Sequence, residues 1–340
     1  CASAGNHAQG VALSCKKLNI ACDIFLPENT PQQKINRIKY FGNSKCNLHI
    51  IGNTFDNTLH YSLNFKDKYN KSFIHPYNDI HTIIGQGTIA NEIYDEIQPD
   101  IIINAIGGGG LISGVSLYSK EKNKNTLIYG VEPLTCPSMK VSIDNNKIES
   151  LYIMDNFVDG ATVSTVGDIP FEICKHTVDK IFTPPIGEIC GKMLDLYQND
   201  GIVLEPAGAL SLTVLDNLNK HDIKGKNIVC ILSGGNNDIA RYNEITERYL
   251  KYQELKYYYI IKFAQKPGEL KTFINNVLGP NDDITRFEYI KKTNKNYGNV
   301  LIGIQTNNKN NINTLNDNLD KYNFQYIKIN ENNLLYNYLI

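Results

Sequence analysis

The sequence predicts an α/β domain with a largely parallel sheet, followed by a small α+β domain of ferredoxin-like topology. The first prediction rests on Asp100–Ile106, a near-continuous apolar run that is typical of a strand buried on both faces. Glycines, a helical stretch at Leu111–Lys120 and a further strand at Thr126–Val131 follow it, an order that indicates α/β architecture. The second prediction rests on a strand–helix–strand–strand–helix–strand order that begins after Lys256.

The remaining predicted elements fill these two domains. In the α/β part they are two strands and three helices, at Asp23–Pro27, Asn227–Leu232, Pro31–Phe41, Glu188–Gln198 and Gly208–Leu218. A polar helix, Asp238–Lys251, leads to a boundary near Gln253. The small domain is predicted to hold four strands and two helices, at Tyr257–Phe263, Ile284–Lys291, Asn299–Thr306, Phe324–Ile329, Glu269–Val277 and Ile312–Tyr322. We therefore predict domains at 1–252 and 256–340.

Composition narrows the class of protein. The 340 residues carry 34 basic and 35 acidic side chains, a net charge of −1 that favours neither nucleic acid nor an anionic membrane as a partner. No apolar run is long enough to cross a bilayer. The 8 cysteines are scattered without Cys-x-x-Cys pairs, which indicates free thiols in a reducing compartment and no zinc site. We expect a cytoplasmic protein without a structural metal.

The four glycines Gly107, Gly108, Gly109 and Gly110 join the buried strand to a helix. Glycines let backbone amides approach an anion closely, and the helix N-terminus adds partial positive charge. We interpret the loop as a phosphate site. It lacks the Gly-Lys-Ser/Thr of a nucleoside triphosphate site and the G-x-G-x-x-G of a dinucleotide site. Glu132, at the end of the next strand, keeps the dinucleotide alternative open, but one compact phosphate fits the tetraglycine better.

Two more loops carry polar groups at element junctions. Ser3–Gly10 surrounds Asn6 with small residues, which suits either a flat ligand or a helix N-cap. We interpret His7 as structural. Ser233–Asn236 follows a predicted strand, and Glu205 opens a helix as either an N-terminal acid or a pocket wall. Ligands of parallel sheets bind beyond the carboxyl ends of the strands, where these loops are expected.

These motifs resemble, in order and spacing, the fold-type II pyridoxal-phosphate enzymes, whose sheet is of the tryptophan synthase β type. The resembling segments are SAGNHAQG at 3–10, the tetraglycine with Leu111, EPAGA at 205–209 and SGGN at 233–236. Among them the threonine dehydratases (threonine ammonia-lyases) are most similar. QKPG at 265–268 and GPNDDITRFEY at 279–289 resemble the ACT-like regulatory domain of the biosynthetic members, present here once as in the short form.

The resemblance implies a role for each motif. Asn6 would bond the 3-oxygen of pyridoxal 5'-phosphate, and Ser233 would share a hydrogen bond with its pyridine nitrogen. The phosphate would be held by backbone amides of Gly107, Gly108, Gly109, Gly110 and Leu111. The implied activity is conversion of L-threonine to 2-oxobutanoate and ammonia, the first step of isoleucine biosynthesis. Isoleucine or valine would act as effectors, and the family implies a homo-oligomer, a tetramer or dimer.

The resemblance also implies a Schiff-base lysine in a Ser-Phe-Lys-x-Arg-Gly-type segment upstream of the Asn6 loop. The sequence starts at Cys1, two residues before that loop, and Lys34, Lys39, Lys66 and Lys140 lie in other contexts. We therefore expect a truncated chain with no catalytic residue of its own, inactive as it stands. The alternatives are a catalytically dead amino-acid-binding module and another fold-type II enzyme, such as a serine/threonine dehydratase, serine racemase or threonine synthase. The regulatory domain argues against serine racemase and a catabolic dehydratase. A possible cation site at Asp159 is left out of the prediction.

Overall fold

A computed structural model describes residues 1–53, 55–153, 155–290, 295–330 and 336, and it divides into two units, Cys1–Ile239 and Ala240–Ile340. In the first unit, β3 (Ile101–Ala105) pairs in parallel with β4 (Leu127–Val131) and β6 (Ile228–Cys230). The order of this sheet is β5-β4-β3-β6, with β5 at Lys180–Phe182. Every residue of β3 is buried. The predicted parallel sheet and its doubly buried strand are confirmed.

A second, two-stranded parallel sheet lies in the same unit. It pairs β1 (Cys22–Leu26) with β2 (Cys46–Ile50), so that Cys22 lies opposite Cys46. Apolar side chains of β1 pack against the first two helices in a small core that includes Ala8, Ile24, Leu26, Ile35 and Ile38. This sheet therefore has its own hydrophobic core beside that of the larger sheet.

Helices cover both sheets. Within the described residues of the first unit they are α1 (Asn6–Lys17), α2 (Gln32–Gly42), α3 (Phe55–Tyr69), α4 (Ile80–Glu96), α5 (Gly110–Lys122), α6 (Ser138–Asp144), α7 (Asp168–Thr177), α8 (Ile186–Asp200), α9 (Pro206–Thr213) and α10 (Lys220–Ile223). Short 3-10 turns lie at Asn43–Lys45, Leu215–Asn217 and Ile239–Arg241. The main core contains Ile102, Ile112, Ile128 and Phe171, which come from β3, α5, β4 and α7. No described helix is long and apolar enough to cross a membrane.

The second unit has the predicted ferredoxin-like topology. It contains α11 (Tyr242–Tyr252), β7 (Lys256–Ala264), α12 (Glu269–Asn276), β8 (Asp283–Tyr289), β9 (Tyr297–Gln305), α13 (Asn311–Lys321) and β10 (Gln325–Ile329). The antiparallel order β10-β7-β9-β8 is the 4-1-3-2 order of that motif. Its core includes Tyr259, Ile261, Phe273, Ile302 and Leu315. Glu247 of α11 forms an ion pair with Lys256 and accepts the Tyr258 hydroxyl at 2.8 Å.

Several predicted boundaries differ from the structure. The predicted helix Gly208–Leu218 is shorter, because α9 ends at Thr213 and a 3-10 turn follows. There the Asn217 side chain donates to the Thr213 carbonyl at 3.1 Å, a local bond that competes with continuation of the α-helix. Residue 291, at the end of the predicted strand Ile284–Lys291, lies outside the described residues. The domain ranges 1–252 and 256–340 stay predictions.

Candidate functional site

The tetraglycine loop forms the N-terminus of a helix directly beyond the carboxyl end of β3. Helix α5 begins at Gly110, and its N-cap Gly109 has φ +96°, a left-handed conformation that glycine adopts without strain. Within the described residues, none of the backbone amides from Gly107 to Leu111 donates a hydrogen bond to another group. Unsatisfied amides at the start of a 13-residue helix favour an anion.

The Asn6 loop is not a side-chain N-cap. The N-cap of α1 is Gly5, and no side chain caps this helix. The Ser3 hydroxyl instead accepts the Gly5 amide at 3.2 Å within the loop. The Asn6 amide donates to the Glu205 carboxylate at 2.7 Å, across 199 residues of sequence. The alternative of a capping asparagine, open from the sequence, is therefore excluded in this structure.

The third loop meets the same pair of residues. The Glu205 amide donates to the Gly234 carbonyl at 3.1 Å. A Cβ built on Gly234 would overlap the Glu205 carboxylate and would lie 2.8 Å from Nδ2 of Asn6. Ser233 precedes Gly234 and is exposed. The Asn6 loop, the start of α9 and the turn after β6 thus come together at one place.

A turn that the sequence analysis did not identify connects this place to the glycine loop. A Cβ on Gly107 would lie 3.2 Å from Cα of Ala161, and one on Gly160 would lie 2.9 Å from Cβ of Ala207. Ala207 follows Glu205 in the first turn of α9. The turn at 158–161 is therefore packed between the glycine loop and α9. All the loops of the predicted site lie at one end of the parallel sheet.

Glu132, the acid that kept the dinucleotide alternative open, serves a different purpose. Its buried carboxylate accepts the Met139 amide at 2.7 Å and the Lys140 amide at 2.8 Å, at the start of α6. Burial raises the pKa of Glu132 to about 7, although these hydrogen bonds oppose the rise. Both of its oxygens are engaged by α6, so this carboxylate does not present itself to a ribose.

His7 and Asp159 are likewise held by protein groups. The Nε2 of His7 donates to the Ile74 carbonyl at 3.2 Å, and burial lowers the pKa of His7 to about 4, so the ring is neutral near pH 7. Asp159 forms an ion pair with Lys34 at 2.6 Å. In the part of the chain that the structure describes, no group of three or more His, Cys, Asp or Glu side chains is arranged to hold a metal ion.

Two of the other lysines considered from the sequence also have carboxylate partners. Lys66 pairs with Asp67 at 3.0 Å and Lys140 with Asp144 at 2.7 Å. Neither of these contacts involves the loops of the site. All eight cysteines are free thiols.

The anion site indicated by the loop geometry is consistent with the families that this chain matches. A family model described as pyridoxal-phosphate dependent enzyme matches residues 1–234, and one for the C-terminal regulatory domain of threonine dehydratase matches residues 247–339. The chain is 49% identical over 346 residues to biosynthetic L-threonine dehydratases of Staphylococcus aureus and Staphylococcus epidermidis. Each match covers 100% of this chain and 82% of the relative.

Solved structures are similar to the chain as well. The processed form of threonine deaminase isoform 2 from Solanum lycopersicum has a TM-score of 0.69 and 36% identity, over 73% of this chain and 72% of that one. Maize serine racemase has a TM-score of 0.65 and 28% identity, over 74% and 77%. The fold-type II architecture and the resemblance drawn from the motifs are confirmed. This chain therefore belongs to the biosynthetic threonine dehydratases, a family of pyridoxal-phosphate-dependent enzymes with a C-terminal regulatory domain.

Proposed function

We propose that this protein dehydrates and deaminates L-threonine to 2-oxobutanoate and ammonia, the first step of isoleucine biosynthesis. The observation that carries the proposal is the meeting of Asn6, Glu205 and the Ser233–Asn236 turn beside the glycine loop at one end of the parallel sheet. The substrate is taken from the 49% identical relatives, which are biosynthetic L-threonine dehydratases.

The residues of the site fit pyridoxal phosphate. The amides of Gly107, Gly108, Gly109, Gly110 and Leu111 have no acceptor among the described residues, and a dianionic phosphate would provide one. The loop carries no side chain except that of Leu111, so no glycine side chain shields these amides. We assign phosphate binding to these five amides.

Asn6 and Ser233 would hold the ring of the cofactor. The Asn6 amide has two N–H donors, of which Glu205 takes one, leaving the second for the 3-oxygen of the ring. Glu205 thereby fixes which edge of the Asn6 amide faces the ligand. We assign the Ser233 hydroxyl to the pyridine nitrogen. A neutral hydroxyl does not hold that nitrogen protonated as a carboxylate would.

When bound, pyridoxal phosphate supplies an electron sink that acidifies the α-hydrogen of an amino acid. The Ser233 hydroxyl would leave the ring nitrogen unprotonated, which would favour loss of the β-hydroxyl over side reactions such as transamination. The neutral His7 is bonded to the main chain, and we assign it no proton transfer. The lysine that anchors the cofactor and moves the α-proton is assigned to none of Lys34, Lys66 and Lys140, because each pairs with a carboxylate.

The second unit is proposed to regulate the first. It carries the match to the regulatory domain of threonine dehydratase and a complete ferredoxin-like sheet. The chemistry of the pathway favours a branched-chain amino acid, isoleucine or valine, as effector. We further propose that the protein is a cytoplasmic homo-oligomer, a dimer or tetramer, and that isoleucine shifts its activity through this unit. Calorimetry of the chain with isoleucine and with valine tests this part, and heat from neither ligand would contradict it.

The proposed cofactor site is tested directly by titrating the 340-residue chain with pyridoxal phosphate. We expect saturable quenching of tyrosine fluorescence by pyridoxal phosphate, competition by inorganic phosphate, and no comparable response to NAD. Binding of NAD without binding of pyridoxal phosphate would contradict the proposal.

A further inference from the structure

A turn that precedes α4 lies directly against the glycine loop. A Cβ built on Gly108 would overlap the ring of Tyr77, and one built on Gly110 would lie 2.9 Å from Cα of Tyr77. The aromatic ring therefore occupies the space that side chains at the loop would otherwise need. Tyr77 is half-buried at this position.

The turn itself is held by His75. The Nδ1 of His75 accepts the amides of Tyr77 at 3.2 Å and Asn78 at 2.9 Å, and the His75 carbonyl accepts the hydroxyl of Thr82 at 2.9 Å. The rings of His75 and Tyr77 meet edge to face, with centroids 4.6 Å apart. These contacts fix the main chain of Tyr77 relative to α4, and they therefore also fix the position of the Tyr77 ring.

Asn78 ties the same turn to the glycine loop by a second route. Its side chain donates to Asp168 at 2.6 Å and accepts the Ile169 amide at 3.2 Å, at the start of α7. Directly before α7, the Gly167 amide donates to the Gly108 carbonyl at 3.3 Å. Gly108 is thus held by Tyr77 on one side and through Gly167 on the other.

We propose that Tyr77 is a positioning residue for phosphate recognition, which keeps the amides of the glycine loop aimed at a single phosphate group. This inference rests on the proposed function, because it names how the same loop is held. Consecutive glycines have many accessible backbone conformations, and amides without a partner in the protein do not fix the loop by themselves. Support from a rigid neighbour lowers the cost of ordering the loop when the anion binds.

The first test separates the phosphate from the ring of the ligand. Binding of pyridoxal phosphate and of pyridoxal, which lacks the phosphate, is compared in the 340-residue chain and in Tyr77→Ala and Tyr77→Phe. We expect Tyr77→Ala to weaken pyridoxal phosphate by about tenfold and pyridoxal by less than about twofold, since only the phosphate uses the loop. Tyr77→Phe keeps the ring packing against the loop and should weaken pyridoxal phosphate by less than Tyr77→Ala does. Tyr152→Ala, at a tyrosine that is 87% exposed, is the matched control.

The second test uses no cofactor. The amides of Gly167 and Ser113 donate to the Gly108 and Gly109 carbonyls of the loop. Their hydrogen exchange should become faster in Tyr77→Ala, and also in His75→Ala, which removes the acceptor of the turn. His75→Asn places a side-chain oxygen near the position of Nδ1 and should restore slow exchange. If Tyr77→Ala does not fold, His75→Ala still tests the support of the loop, because it keeps the ring of Tyr77.

The outcomes distinguish the two proposals. If the Gly167 and Ser113 amides exchange faster in Tyr77→Ala but the parent chain binds no pyridoxal phosphate, the positioning role is supported and the proposed function is contradicted. If these amides exchange equally fast in the parent and in Tyr77→Ala, or if Tyr77→Ala weakens pyridoxal and pyridoxal phosphate equally, the positioning role is overturned and the proposed function stands.

Discussion

The side-chain amide of Asn6 donates to the carboxylate of Glu205 over 2.7 Å, and Gly234 lies against both groups. This contact joins the start of α1 to the start of α9, two helices that are far apart in the sequence. The approach is possible because position 234 has no side chain. The relationship orients the amide of Asn6, and it is the part of the candidate site that substitutions can test most simply.

Replacing Asn6 by alanine should weaken the binding of pyridoxal phosphate by at least about tenfold, since a hydrogen bond to a charged group contributes about 1.5–3 kcal/mol. The variant loses the donor to the ligand and leaves the Glu205 carboxylate without this partner. Fluorescence titration measures the change. Asn47→Ala is the matched control, because Asn47 also donates to a carboxylate, that of Asp23 at 3.4 Å, outside the loops of the site. Equal affinities of the two variants would contradict the assignment of Asn6.

Gly234→Ala should reduce cofactor affinity while every polar group of the site is kept. The new methyl group would overlap Glu205 and press on Nδ2 of Asn6, so that the pair must separate. Gly10→Ala is the control, because a Cβ at Gly10 meets nothing within 4 Å and an alanine inside α1 favours the helix by about 1 kcal/mol. Thermal melting and titration together separate the effects. A Gly234→Ala protein that binds as tightly as Gly10→Ala would show that the contact is dispensable.

Glu132 should make the stability of the first unit depend on pH. Its pKa rises from 4.5 to about 7 on folding, so the folded chain keeps a proton that the unfolded chain releases between these values. The sign follows: the stabilisation is complete below pH 4.5 and is lost as the pH rises through about 7, an effect of up to about 3 kcal/mol.

Urea denaturation at pH 5 and pH 8 measures this effect. Glu132→Gln should remove most of the difference between the two pH values, whereas Glu172→Gln, at an exposed position of α7, should keep it. The prediction is wrong if both variants retain the pH dependence of the parent chain.

Asn104 offers a stabilising substitution. It lies fully buried in β3, and neither its side-chain nitrogen nor its oxygen has a hydrogen-bond partner among the described residues. Asn104→Val should raise the free energy of unfolding by about 1 kcal/mol, because a buried unsatisfied amide is removed. Thr126→Val is the control and should destabilise the protein. The Thr126 hydroxyl that it removes donates to the Pro99 carbonyl and accepts from the Tyr94 hydroxyl, both at 2.9 Å. Destabilisation by both variants would show that Asn104 has a partner that stabilises it.

The periodic elements of this fold could be predicted from sequence. The apolar run of β3, the glycines after it and the strand order of the second unit are local patterns, and the structure confirms all three. The helices α3 and α4 and the strand β2 were not predicted. Strand β2 (CNLHI) is short and only partly buried, so it carries a weak signal.

The contacts within the site could not be predicted in this way. The Asn6 loop was ambiguous between a cap and a ligand contact, and only its partner 199 residues away decides between them. Glu132 was placed correctly after β4, but the sequence does not reveal that α6 folds over its carboxylate. Tyr77 lies in a segment, HPYND, whose proline and asparagine indicate a turn without indicating which loop the turn supports.

The central claim, that this site belongs to a threonine dehydratase, is tested most directly by turnover. The 340 residues are joined to the part of the Staphylococcus aureus relative that the match leaves uncovered, the chimera is supplied with pyridoxal phosphate, and 2-oxobutanoate release from L-threonine is followed. The account predicts steady release by the chimera and a large loss of rate in its Asn6→Ala variant. A folded chimera that binds pyridoxal phosphate but releases no 2-oxobutanoate from threonine would contradict it.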